Sequence, residues 1–243
     1  MIHFFGKIPG NPCNCSKCDG NEPTMTSIEY ELRQELIEFS NRMALSGLIR
    51  GSSGNASARL DEQRILITPT QLPKGYLRER DIVMIDTDGN LIEGNHPPSM
   101  DTEFHLAAYR ARPDAQAVIH AHPIITTAFS LVGKTIGKGT LPEFDFLFPK
   151  GVPIVPYQSQ LSQELPATCG DFIAEYDIVI LSHHGTLAVG KSLMMAWMLT
   201  EHLETYYEVV FYAECLASAT PMPEDQVNLL REVHKRKKFR SGK

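Results

Sequence analysis

No apolar run in this 243-residue chain approaches the length needed to cross a bilayer. The longest, such as Ile178 to Leu181 and Leu193 to Leu199, fall far short of the about twenty apolar residues a spanning helix requires. Positive charge is also short: 23 Lys and Arg stand against 29 Asp and Glu, a formal net charge of -6. An acidic surface repels polyanions, so neither nucleic acid nor an anionic membrane is the expected partner, and any bound phosphate must be met by local donors. The opening MIHFFGKIPG has no basic leader and no sustained apolar segment behind it, so the expected compartment is the cytoplasm. Cysteine is scarce and odd in number, at five, which is not a disulfide framework. Cys13, Cys15 and Cys18, with His3, could bind zinc or iron, but tetrahedral sites usually pair two knuckles across a folded segment, and a tail with accessible thiols is the expected reading.

What is present is globular: 42% hydrophobic and 21% charged residues, enough for one sizeable core and one expected domain. Residues 1–26, rich in Gly, Pro, Asn and Cys without periodicity, read as an N-terminal extension, leaving 27–243 as the domain. Thr26-Ser27 offers an N-cap, and Leu32, Leu36, Phe39 and Met43 then recur at helical spacing up to Ser46-Gly47. Short β-type runs follow at Ile65 to Ile67 and Ile82 to Ile85, with Asp88-Gly89-Asn90 as a turn. Helix resumes at Asp101, strands are expected at Ala117 to His122 and Ile178 to Leu181, and helices over 192–217 and 223–235. Strands interleaved with helices predict a mixed α/β layer fold, and there is no internal repeat.

In Val118-Ile119-His120-Ala121-His122 the strand period of two puts both imidazoles on one face, about 7 Å apart at the backbone. Such a pair can converge on one ion, and a catalytic zinc takes three protein ligands while keeping a position open. The third is expected from Ser182-His183-His184-Gly185, where an apolar strand ends in two histidines. Two histidines in a strand can equally be hydrogen-bonded core residues; the second cluster tips the reading to metal. Asp101 and Glu103 open the preceding helix, where a carboxylate can cap or can act as a general base beside an ion. Composition favours capping. Ser52 to Asn55, Thr68 to Thr70 and Pro97 to Ser99 are polar loops able to hold an anion without net positive charge.

Five motifs in order carry a resemblance: Gly51-Ser52-Ser53-Gly54-Asn55, Ile67-Thr68-Pro69-Thr70, Ser99-Met100-Asp101-Thr102-Glu103-Phe104-His105, Val118 to His122, and His183-His184-Gly185. Together, over about residues 30–235, the chain resembles the class II aldolase and adducin family. The resemblance implies a single three-layer domain with a central mixed, mainly antiparallel sheet flanked by helices. It implies His120, His122 and His184 as ligands of Zn2+ or of another divalent ion such as Mn2+, Co2+ or Fe2+. It further implies Asp101 as the acid or base, Asn55, Thr70 and Ser99 around the substrate phosphate, and a homotetramer.

The activity so implied is aldol cleavage of a ketose phosphate, fuculose-phosphate aldolase-like, through a metal-stabilised enediolate. Aspartate at position 101 looks more like the family's 4-epimerases, whose chemistry uses the same cleavage. Gln71 stands where the family has glycine and Met100 where it has serine, which motivates a decarboxylase or dehydratase acting on a non-phosphorylated acid as an alternative. An adducin-like interaction module is the non-enzymatic alternative. The family's C-terminal catalytic tyrosine has no counterpart in residues 233–239, where His234 or a lysine could substitute, and Asp145 lies near the epimerases' second acid.

Overall fold

The computed structural model describes residues 25–159, 162, 164–217 and 220–240. Cys13, Cys15 and Cys18, and all but the last two residues of the expected extension, lie outside them. Helix α1 (Ser27–Leu45) starts where the capping signal places it, the Thr26 hydroxyl accepting the Glu29 N–H at 3.2 Å. Strands β1 (Asn55–Arg59), β2 (Arg64–Ile67), β3 (Val83–Asp86) and β4 (Leu91–Glu93) form an antiparallel meander. There follow α2 (Thr102–Ala111), β5 (Ala117–Ala121), α3 (Ile124–Leu131), α4 (Pro142–Leu147), β6 (Ile154–Val155) and α5 (Glu164–Ile173). The chain finishes with β7 (Ile178–Leu181), β8 (Gly185–Gly190), α6 (Leu193–Leu216) and α7 (Glu224–Arg240). Among the described residues the strands make one eight-stranded sheet in the order β4-β3-β2-β1-β5-β8-β7-β6. Only the β6–β7 pair is parallel, so the sheet is mixed and mainly antiparallel.

Both faces of the sheet are covered. Ala56, Leu66, Ile119 and Ile180 turn to one side and pack against Leu36 and Phe39 of α1, Phe129 of α3 and Leu203 and Tyr207 of α6. Ile65, Val83, Val118, Val179 and Leu187 turn to the other and meet Phe104 and Leu106 of α2 and Leu165 and Ile173 of α5. Strands buried on both faces lose the polar alternation of a surface sheet, so β7 reads as the continuous run Ile-Val-Ile-Leu. The result is the single three-layer α/β domain expected. Because β5 alternates, Val118 and the His two places on both belong to the α2 side, and Phe104 lies 6.4 Å from the His120 ring.

Several elements escape the sequence reading. The helices α3, α4 and α5 are eight, six and ten residues long, too short for a clear period, and proline stands directly before or within the first turn of each. β8 (Gly-Thr-Leu-Ala-Val-Gly) is bracketed by glycines that read as loop. The strand expected through His122 ends one residue sooner, at Ala121, and α7 runs on to Arg240.

Candidate metal centre

β5 and the β7–β8 connection bring three imidazoles together. His120 is fully buried, and its Nδ1 lies 2.9 Å from the Thr186 carbonyl oxygen. A carbonyl only accepts, so Nδ1 carries the hydrogen and Nε2 presents its lone pair. His122 Nε2 is 2.8 Å and His184 Nε2 3.2 Å from that atom. The ligand atoms of all three rings lie within 4.8 Å of one another. With His120 Nε2 fixed as an acceptor, its two neighbours must either donate to it or share a cation with it.

The backbone decides which of His183 and His184 lies in the cluster. His183 adopts a left-handed conformation, φ 62°, in the turn that follows β7, and its ring turns to Tyr157 at 5.4 Å. The same turn, closed by His184 N–H to Leu181 O at 3.0 Å, throws His184 onto the cluster. Gly185 then starts β8 so close to β5 that any Cβ there would fall on the Ala121 carbonyl oxygen.

Burial sets the charge state of the cluster. It pushes His120 down to about 4 against the pull of Asp101, and His122 down to about 3 with His120 and His184 adding to the effect. His184 is lowered, again first by burial. Near neutral pH all three are uncharged imidazoles, the form that coordinates a divalent ion.

Asp101 occupies the N-cap position of α2 but makes no side-chain capping bond, which corrects the preference that composition gives. Its Oδ2 instead accepts from Asn55 Nδ2 at 2.7 Å and stands 3.7 Å from His120 Nε2. Burial pushes the carboxyl up; His120, the Asn55 amide, His184 and His105 outweigh that and hold it below its ordinary value. Three neutral imidazoles with an ionised carboxylate beside them form a donor set that fits a divalent ion with a free coordination position.

Asn55, at the start of β1, and Ser99 both touch Asp101: the Ser99 hydroxyl accepts the Asp101 N–H at 3.2 Å. Thr70 sits on the neighbouring loop, which is joined to the Ser99 loop by the Pro69–Pro98 bridge and by Thr70 N–H to Pro97 O at 3.1 Å. Gln71 adopts a left-handed backbone, φ 62°, a conformation that glycine takes without strain. Met100 is 84% exposed. Asp145 is buried and accepts the Gly139 N–H at 2.7 Å, while the His234 ring meets Phe146 edge to face at 5.6 Å. Both belong to the packing of α4 against α7.

Sequence reasoning missed four residues beside the site. Lys74 is buried, and its ammonium donates to the carbonyls of Pro69 at 2.8 Å and Leu72 at 3.0 Å, bracing the Thr70-Gln71 turn. Burial pushes it down to about 8, against the pull of Asp101. Ser57, His105 and Tyr109 form a buried polar chain behind Asn55. Alternation along β1 and the four-residue spacing on α2 were available signals, but such spacing is ordinary in any core.

The chain as a whole is similar to known proteins. A family model described as Class II Aldolase and Adducin N-terminal domain matches residues 34–211. L-fuculose phosphate aldolase of Escherichia coli is 32% identical over 197 residues, spanning 79% of this chain and 87% of that protein. 5-deoxy-D-ribulose 1-phosphate aldolase of Bacillus thuringiensis serovar kurstaki is 29% identical over 203 residues, spanning 82% and 92%. Among solved structures, an L-fuculose 1-phosphate aldolase superposes with a TM-score of 0.76 at 27% identity, covering 87% of this chain and 98% of that one. In sequence as in fold, this chain belongs to the class II aldolase and adducin family.

Proposed function

We propose that this protein is a divalent-metal-dependent aldolase, a lyase that cleaves a ketose phosphate. The observation that carries the reading is the convergence of His120, His122 and His184 Nε2 beside the Asp101 carboxylate. Relatives named for aldol cleavage of two different sugar phosphates support the reaction class and leave the sugar open. Zn2+ suits three imidazoles, and Mn2+, Co2+ or Fe2+ are the alternatives to be separated by metal analysis.

An ion held by His120, His122 and His184 supplies Lewis-acid polarisation of the substrate's carbonyl and hydroxyl oxygens. Asp101 moves the proton. In condensation its free oxygen takes a proton from the carbon beside the carbonyl and passes it to the oxygen of the attacked aldehyde, and in cleavage the proton of that hydroxyl returns through Asp101 to the carbon after the carbon–carbon bond has broken. Asn55 spends one amide hydrogen on Asp101 and has a second to offer; with Thr70 and Ser99 it holds the phosphate. The substrate is a small molecule, the working assembly a homotetramer and the compartment the cytoplasm. Among the described residues no helix is long and apolar enough to cross a membrane.

Exposed Met100, where the family places a hydroxyl, favours one second reading: a decarboxylase or dehydratase for a non-phosphorylated acid. One experiment separates the two. Metal content is measured for wild type and His122→Ala, and both are incubated with dihydroxyacetone phosphate and short aldehydes. About one metal per chain, lost in the variant together with aldol product, is the expected result. Metal without product from any phosphorylated donor would transfer the proposal to non-phosphorylated acids, and no metal would leave the adducin-like module.

A further inference from the structure

Behind Asp101 runs a line of hydrogen bonds whose direction is set by its two ends. Asn55 Nδ2 donates to Asp101 Oδ2 at 2.7 Å, which fixes the orientation of the amide. Asn55 Oδ1 therefore faces His105 Nε2, at 2.5 Å, and that nitrogen must carry a hydrogen. His105 Nδ1 is left with the lone pair and accepts from the Ser57 hydroxyl at 2.7 Å. Ser57 Oγ, its hydrogen spent, accepts from the Tyr109 hydroxyl at 2.9 Å.

The four supporting residues are buried, so water does not compete for these bonds. Burial raises the Tyr109 hydroxyl well above its ordinary value, against the Ser57 bond and Arg59, whose guanidinium lies 4.6 Å from the ring centre. Tyr109 is thus a permanent donor at one end and ionised Asp101 a permanent acceptor at the other. A flipped Asn55 would set its carbonyl oxygen against the carboxylate. The line also ties β1, through Asn55 and Ser57, to α2, through His105 and Tyr109.

We propose that His105 is a positioning residue for Asp101: through Asn55 it holds the carboxylate in one orientation beside the His120, His122 and His184 nitrogens. The inference rests on the acid–base role given to Asp101 above, and its tests are chosen to fail separately from that reading. In the full-length, metal-loaded protein, His105→Leu removes both ring nitrogens, while His105→Gln keeps an N–H where Nε2 stood. Metal content is expected to stay at the wild-type level in both. kcat is expected to fall about 10- to 100-fold in the Leu variant with most of the loss restored by Gln, and KM to change by less than about threefold. Equal losses in the two variants, a loss carried by KM, or an unchanged kcat overturns the proposal. The nitrogen-15 NMR spectrum of the wild-type imidazoles decides without turnover: His105 protonated at Nε2 with a bare Nδ1 supports the line, and the opposite tautomer overturns it. An absence of aldol product alongside the expected tautomer would sink the aldolase reading alone.

Discussion

A residue at a helix N-terminus normally spends its side chain on the helix, and Asp101 does not. Its carboxylate is given to Asn55 and to the imidazole cluster, while the Ser99 hydroxyl accepts the Asp101 N–H instead. The side chain that caps in most proteins is here left free for the acid–base role proposed for it. Asp101→Asn keeps the size and removes the basicity, so it should retain metal while kcat falls by about 10² to 10⁴; a variant that keeps more than a tenth of wild-type kcat would show that the proton moves elsewhere. Lys74 tests the loop in the same way. Its two bonds to the Pro69 and Leu72 carbonyls hold the turn that carries Thr70, and Lys74→Met leaves the buried Pro69 carbonyl and the part-buried Leu72 carbonyl without that donor. Losing a charged donor to buried acceptors costs about 2–3 kcal/mol. Denaturant unfolding should register that loss, together with a raised KM for a phosphorylated substrate; an unchanged KM would confine Lys74 to stability.

At the scale of elements, legibility followed length and periodicity. The capping threonine of α1, the apolar run of β7 and the 24-residue α6 announce themselves, because each repeats its pattern for long enough to be distinguished from chance. β8 and α5 do not. Their identity comes from partners distant in sequence, β5 for the strand and α2 for the helix, which no local window contains. The site divides likewise. The alternating pair on β5 was visible from the residues alone, whereas the choice of His184 over His183 needed the family pattern. Physically, that choice depends on a left-handed turn that sequence did not mark, since His183 is no glycine. The glycine after it is needed for a different reason, the close passage of β8 along the end of β5. Gly185→Ala must therefore push the two strands apart at Ala121, beside His122 and next to His184. A loss of about 3 kcal/mol or more in stability, with weakened metal retention, is the expected result; wild-type melting and metal content would show that the strands can give.

At the scale of the whole molecule, the described strands gather His120 and its polar neighbours inside the sheet's apolar interior, and burial keeps the imidazoles there uncharged. His105 and His120 are held near 4 and His122 near 3, against 6.5 for an ordinary histidine. In an unfolded chain these rings take up protons as pH falls through 6.5, whereas in the folded protein they resist until about 4 or below. Between those limits the unfolded state binds more protons, so the stability of the metal-free protein must fall as pH falls. The loss begins near pH 6.5 and is complete only when the folded-state rings themselves titrate. A bound ion prefers the folded state and the neutral rings alike, so the metal-loaded protein should keep its melting temperature further into the acid range before releasing the ion. Thermal unfolding of both forms from pH 7.5 to 4.5 makes the comparison. A falling curve for the metal-free protein, flattened in His105→Gln because one of the contributing rings is gone, is the expected pattern. A metal-free curve that stays level across the window would mean that the folded-state imidazoles take up protons as readily as those of the unfolded chain, which would overturn burial as the cause of the cluster's neutrality.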